Sequence, residues 1–243
     1  TKAGEAEEAA KEAPSAAPDP VLLAEIERRL GYEYPFSQLE GVVAKRIASK
    51  LDPTEADSEY FASRRPSFAG RGRLTPAQRG TATHRFMQYA DYSRACKSVA
   101  DELTRLTEGG MLTAEEANAV DAMAVARFFD SGLYARMSRA ERIYKEYSFT
   151  CSVPVSELYP QLPCGLADGE VVLIEGVADC AFVEGGELVV VDYKTDKASS
   201  AAELAERYGA QLGIYRRCLA EVLGMPVKET VIYSFRLNES ITL

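Results

Sequence analysis

Two apolar runs separated by a polar turn mark the C-terminal third of the chain. Residues 171–183 read as one strand and 188–194 as a second, with Glu184-Gly185-Gly186-Glu187 between them as a hairpin signal. Side chains alternate along a strand, so Asp192 and Lys194 emerge on one face at the end of an apolar run. Pairing Val183 with Leu188 sets Asp179 directly opposite Asp192. Carboxylates facing each other across a strand pair lie about 4.5–5.5 Å apart at Cβ and repel. A divalent cation, which takes oxygen ligands, turns that repulsion into binding.

Upstream the pattern becomes helical. Thr75-Pro76 is an N-cap followed by proline at the first helical position, predicting a helix from there to about Tyr92. Helical spacing continues over 95–107 and 113–130, with Gly109-Gly110 as the break, and again over 138–146; residues 147–155 alternate as a strand does. Ser199 or Ser200 caps a long helix ending near Gly224, and 231–237 closes as a strand. At the other end, 20–30 predicts a short helix leading into a turn at 31–35, and 51–73, rich in Pro, Ser, Gly and Arg, predicts irregular chain. Residues 1–20 lack a sustained core pattern and predict a disordered linker, which leaves 21–243 as the folded domain. The fold class is α/β: a mixed central sheet flanked by helices, behind a helical N-terminal half.

The composition is that of an ordinary globular protein, and 243 residues suffice for one large domain or two small ones. No apolar run approaches the roughly 18 residues that a membrane-spanning helix needs, and no secretory signal is visible. The five cysteines, Cys96, Cys151, Cys164, Cys180 and Cys218, are scattered without a CxxC pair, which predicts reduced thiols and a cytoplasmic protein. A net charge of −9 argues mildly against nucleic acid, yet Arg64, Arg65, Arg71, Arg73, Arg79 and Arg85 gather in one stretch that would suit phosphates or merely face solvent.

His84 is the only histidine and follows the small residues Gly80-Thr81-Ala82-Thr83, which permit close approach to another element. Imidazole with two carboxylates makes a plausible site for Mg²⁺ or Mn²⁺. Lys194 is an ordinary strand-end lysine or, beside a metal-bound phosphate, a group that stabilises developing charge. Asp196 fits a turn or cap better than a ligand. Tyr208, Gln211 and Tyr215 share one face of the long helix, either as core or as site lining.

Taken together, Gly80-Thr81-x-x-His84, Gly176-x-x-Asp179, Asp192-Tyr193-Lys194-Thr195 and Tyr208-x-x-Gln211-x-x-x-Tyr215 resemble, in order and spacing, the RecB-type nuclease domain, a branch of the PD-(D/E)XK superfamily. The pattern is most like the nuclease portion of helicase–nuclease subunits of the AddA kind, and Tyr34-Pro35 with the 66–79 stretch is similar to the lead-in of that domain. The resemblance covers about residues 21–243 and implies a restriction-endonuclease-like fold. It implies His84, Asp179 and Asp192 as metal ligands for Mg²⁺ or Mn²⁺, Lys194 as the catalytic lysine, and Gln211 and Tyr215, with Tyr208 on the same face, near DNA. Glu146 matches an acidic position of the family only weakly. The implied activity is a metal-dependent deoxyribonuclease, an exonuclease in double-strand break repair and recombination. Its partners would be DNA, a helicase domain in the same full-length chain and a second helicase–nuclease subunit, with no membrane. The chain carries no Walker A loop and lacks the cysteine ligands of the iron–sulfur cluster found in some relatives. The alternatives are a non-catalytic DNA-binding or scaffolding domain that keeps the fold, and a purely structural domain whose facing acids solvent tolerates.

Overall fold

The computed structural model describes residues 19–32, 34, 36–48 and 75–243. The predicted linker before residue 19, the irregular stretch at 51–73, Pro35 and the arginines from Arg64 to Arg73 lie outside the described residues. The chain divides at Val42/Val43 into two compact units. The first contains helix α1 (Pro20–Leu30), capped by the Asp19 side chain on the Val21 amide and carrying proline in its first turn.

The second unit holds the rest. Strand β1 (Lys45–Ile47) precedes a run of helices: α2 (Pro76–Tyr89), α3 (Tyr92–Ala95), α4 (Val99–Glu108), α5 (Ala114–Ala119), α6 (Ala122–Phe129) and α7 (Gly132–Met137). Strand β2 (Arg142–Pro154), helix α8 (Val155–Leu158), strands β3 (Val171–Glu184) and β4 (Glu187–Lys194), helix α9 (Ala201–Leu223) and strands β5 (Val227–Ser234) and β6 (Glu239–Thr242) follow. The strands form one mixed sheet: β3 pairs antiparallel with β2 and β4 and parallel with β1, β4 runs parallel to β5, and β6 closes antiparallel on β5. The parallel β4–β5 pair is joined by the long α9, as a crossover connection requires.

Local chemistry accounts for most boundaries. Thr75 and Gln78 form a reciprocal capping box at the start of α2. Ser200 caps α9, and Gly224 ends it in the left-handed conformation at φ 63°. Gly185 and Gly186, at φ 64° and 79°, make the two-residue turn that locks Val183 opposite Leu188. Three boundaries differ from the sequence pattern. The helix expected over 113–130 is two helices, because Val120 is extended and the Asp121 carboxylate accepts the amides of Met123 and Ala124 to start α6. No helix forms over the expected 138–146: α7 stops before it at Met137, and Arg142 to Lys145 pair instead with β3 from Val183 to Cys180. Strand β5 begins at Val227, four residues before the expected start, where it pairs with Leu188.

The core lies between the sheet and the helical layer. Phe86, Met87, Leu106, Phe128 and Met137 pack on Cys180, Phe182, Val189, Val191, Tyr193 and Tyr233. Phe128 sits at the centre, its ring 4.8 Å from that of Tyr233 and 5.6 Å from that of Tyr193. On α9, Leu204, Leu212 and Leu219 are buried, and this helix packs on β2 and β5. There Cys151 of β2 and Cys218 of α9 are joined as a disulfide, with Cα atoms 5.5 Å apart. This corrects the expectation of reduced thiols for that pair: a separation of 67 residues hides a contact that only helix-on-sheet packing creates. Cys96, Cys164 and Cys180 are free thiols. Among the described residues no helix is long and apolar enough to cross a membrane.

Gly176 explains itself sterically. It pairs directly with Phe149 of β2, and a Cβ there would lie 2.9 Å from Phe149 Cε1 and 3.0 Å from Ala48 Cβ. Gly176→Ala is therefore expected to destabilise the fold by about 1–3 kcal/mol through overpacking. Urea unfolding reads this, and a loss below about 0.5 kcal/mol would contradict it.

Candidate active site

The site forms where the ladders on both sides of β3 lapse at one residue. Between β2 and β3 the pairs Lys145↔Cys180 and Tyr147↔Ala178 flank a missing rung, so Glu146 faces Asp179. Between β3 and β4 the last rung on that side is Cys180↔Val191, and one step further brings Asp179 level with Asp192. Asp179 replaces the missing ladder bond with its own side chain: Oδ2 accepts the Tyr193 amide at 2.7 Å. Glu146 holds φ 46°, a left-handed conformation that costs a non-glycine residue energy and that tends to mark functional positions. Three carboxylates on three neighbouring strands thus stand in a row.

Helix α2 brings His84 to this row. Its Nδ1 lies 3.2 Å from Asp179 Oδ1, across 95 residues of sequence. One ligand atom each from His84, Glu146 and Asp179 falls within 4.8 Å of the others, the spacing of a metal cage. Asp192 stands beside this triad and faces Lys194, whose Nζ is 3.1 Å from its Oδ2. That oxygen is buried, in a residue only 3% exposed, and the Lys194 ammonium is the cation beside it. Three carboxylates gathered in one place nevertheless repel one another, and the single ammonium faces only Asp192. One imidazole and three carboxylates fit a hard divalent cation.

Burial and mutual repulsion shift every charge in the cluster. Burial, with Asp179 alongside, pushes Glu146 up to about 7. Burial also raises Asp192 to about 6, since the nearby Asp179 charge adds to it and the Lys194 ammonium only partly offsets it. For His84 burial works against the imidazolium, but the Asp179 carboxylate outweighs it and lifts the group to about 9. Asp179 resists its own burial because His84 and the Tyr193 amide hold it below the usual carboxylate range. Lys194 is held above the usual lysine value by Asp192 despite burial, so it stays an ammonium.

The helix after β4 lines the other side. Lys194 Nζ sits 3.9 Å from the centroid of the Tyr208 ring, a cation–π contact, and the Tyr208 hydroxyl donates to Asp196 at 3.1 Å. Arg207 also donates to Asp196, which anchors the turn after β4 rather than entering the carboxylate row. Gln211 Nε2 donates to the Tyr215 hydroxyl at 3.0 Å, and that hydroxyl donates to the Val177 carbonyl. All three residues of the shared helical face are buried, yet each carries a polar tie. The residue that pattern reading undervalued is Glu146. Once β2 is extended back to Arg142, the same counting that pairs Asp179 with Asp192 also pairs it with Glu146.

The chain matches the family model of the PD-(D/E)XK nuclease superfamily over residues 58–241. An ATP-dependent helicase/nuclease subunit from Clostridium kluyveri is 32% identical over 223 residues, which is 87% of this chain and 18% of that protein. The protein of the same name from Geobacillus thermodenitrificans is 33% identical over 236 residues, 87% of this chain and 19% of its own. That of Desulforamulus reducens is 33% identical over 238 residues, 92% of this chain and 19% of its own. The chain therefore spans under a fifth of the length of these relatives. Shape likeness adds no weight: the solved structure of SSO0001 aligns over 88% of this chain and 69% of its own at a TM-score of 0.30 and 12% identity.

Proposed function

Because the chain belongs to the PD-(D/E)XK nuclease superfamily, we propose that it is a deoxyribonuclease that hydrolyses phosphodiester bonds with Mg²⁺ or Mn²⁺. It would be the cutting portion of a cytoplasmic helicase–nuclease, an exonuclease acting in double-strand break repair and recombination. The motor would lie in the same full-length chain, with a second helicase–nuclease protein bound beside it. The observation that carries this reading is the His84–Glu146–Asp179 cage with the Asp192–Lys194 pair alongside. That the relatives are helicase/nuclease subunits supports the helicase.

His84, Asp179 and Asp192 would hold the ion, and Glu146 stands within reach of the same position. A bound divalent cation polarises a phosphate oxygen and acidifies water. The chain's own groups do the rest. Lys194, kept as an ammonium by Asp192, is placed to stabilise charge that develops on the phosphate. Tyr208 stacks on that ammonium and limits where it points, while Gln211 and Tyr215 line the wall beside it. The test is cleavage of end-labelled single- and double-stranded DNA with Mg²⁺, Mn²⁺ or EDTA. Titration showing no binding of either ion would favour a scaffolding domain instead.

A pH signature follows from the charges. In metal-free protein Asp192 and Glu146 titrate above their unfolded values, so the folded state keeps protons that the unfolded chain has lost. Stability then falls as pH rises from the ordinary carboxylate range to about 7. The His84 contribution is full below the ordinary imidazole value and is lost through about 9. Asp179 acts oppositely, contributing above its ordinary value and losing that contribution only in acid. Melting temperature in EDTA is expected to decline between about pH 5 and 9. Ion binding requires the deprotonated ligands, so the gap between Mn²⁺ and EDTA melts should widen over the same range. A gap that narrows with rising pH would count against the cage.

A further inference from the structure

Gly80 stands in the interior of α2, where glycine weakens a helix relative to alanine. The capping box at Thr75 lies one turn before it and His84 one turn after. Its absent side chain has a counterpart: a Cβ at Gly80 would lie 2.8 Å from Thr195 Oγ1, closer than real Cβ atoms approach an oxygen. Thr195 follows Lys194 directly at the end of β4, and Gly80 and His84, four residues apart, share a helix face. A close approach of the helical layer to the strand end therefore falls directly beside the cluster. Threonine carries a methyl group as well as a hydroxyl on Cβ, so its χ1 is restricted and turning the hydroxyl away costs energy.

We propose that Gly80 and Thr195 form the spacer that sets the His84 helix against the Asp192–Lys194 strand end, which makes both of them positioning residues of the centre. Adding one methyl group at Gly80 pushes the helix away from β4. His84 Nδ1 then leaves Asp179 Oδ1, now 3.2 Å away, and the cage opens. The proposal rests on the nuclease reading for its activity readout alone, since the geometry it concerns exists without an ion or DNA.

Gly80→Ala is the test. Alanine is the better helix former, so the melting temperature in EDTA should hold or rise above about pH 9, where the His84–Asp179 pair no longer contributes, while the centre fails, which separates positioning from folding. His84 is the only histidine, so the protein has a single imidazole Cε1–H resonance in its metal-free form. That resonance should move in Gly80→Ala, Mn²⁺ affinity should fall about 10-fold, and kcat should fall about 10–100-fold with KM unchanged. Adding Thr195→Ala, which removes the opposing oxygen, should return the resonance and bring Mn²⁺ affinity to within about 3-fold of the parent. Adding Thr195→Val, which keeps the branched bulk there, should not. An unmoved resonance with unchanged Mn²⁺ affinity in Gly80→Ala overturns the proposal, as does a Gly80→Ala/Thr195→Ala double variant that recovers neither. If Gly80→Ala melts lower, recovery of its melting temperature by Thr195→Ala supports the spacer and lack of recovery overturns it. Parent protein that never cleaves DNA would sink the nuclease reading, while the resonance would still judge the spacer.

Discussion

Asp192→Ala is expected to abolish DNA cleavage, lowering the rate by at least about 10³-fold, while the fold survives. The carboxylate sits at the end of a buried strand, level with Asp179 and 3.1 Å from the Lys194 ammonium. On the proposed reading its removal takes away an anionic ligand and frees the lysine that it restrains. The fold should survive, because loss of the Lys194 ion pair is offset in part by removal of a buried charge that Asp179 repels. Metal-free Asp192→Ala should therefore melt near the parent temperature and gain less from Mn²⁺. Single-turnover cleavage and paired melts with and without the ion measure both halves. A variant that cuts at the parent rate would remove Asp192 from the centre.

Lys194→Met should separate chemistry from ion binding. The methylenes of lysine are replaced at similar volume, but the cation is lost, and cleavage is expected to fall by about 10²–10³-fold, the scale for losing one charge-stabilising donor. Mn²⁺ binding near pH 8 should persist, since Lys194 is no ligand and its charge opposes a cation. At lower pH the unpaired Asp192 would hold its proton more tightly, so the ion affinity of this variant should drop off more steeply in acid than that of the parent. Isothermal titration at two pH values decides it. Loss of ion binding at pH 8 would mean that the lysine holds the cage together rather than acting on phosphate.

The parts of the molecule that a reader of sequence finds are those written in neighbouring residues. The Gly185-Gly186 turn fixes its hairpin locally, and with it the Asp179–Asp192 alignment follows by counting. The caps at Thr75 and Ser200 start their helices for the same reason. Residues 142–146 misled because Ala140, Ile143 and Tyr144 keep helical spacing, while the deciding partner is β3 some forty residues away. That single error also hid Glu146, which only a strand sets against Asp179. Asp121 inside 113–130 carried a readable cap that breaks the helix, but helical spacing on either side masked it. His84 and Asp179, like Cys151 and Cys218, meet only through packing of helices on the sheet, and no local pattern encodes such contacts. Resemblance to a family pointed to the first pair, and nothing pointed to the second.

His84 comes from the helical layer and the three carboxylates from the sheet, with the large Phe128 core between those layers. The His84–carboxylate cluster is thus a product of docking rather than of any one segment. A ribosome that has released α2 but not yet β4 holds a histidine without its acids. A molecule whose helical layer has transiently lifted holds acids that repel one another. On the proposed reading neither could retain an ion tightly, so cleavage would stop with the first step of unfolding. Its molecules would be armed or harmless, with few states in between.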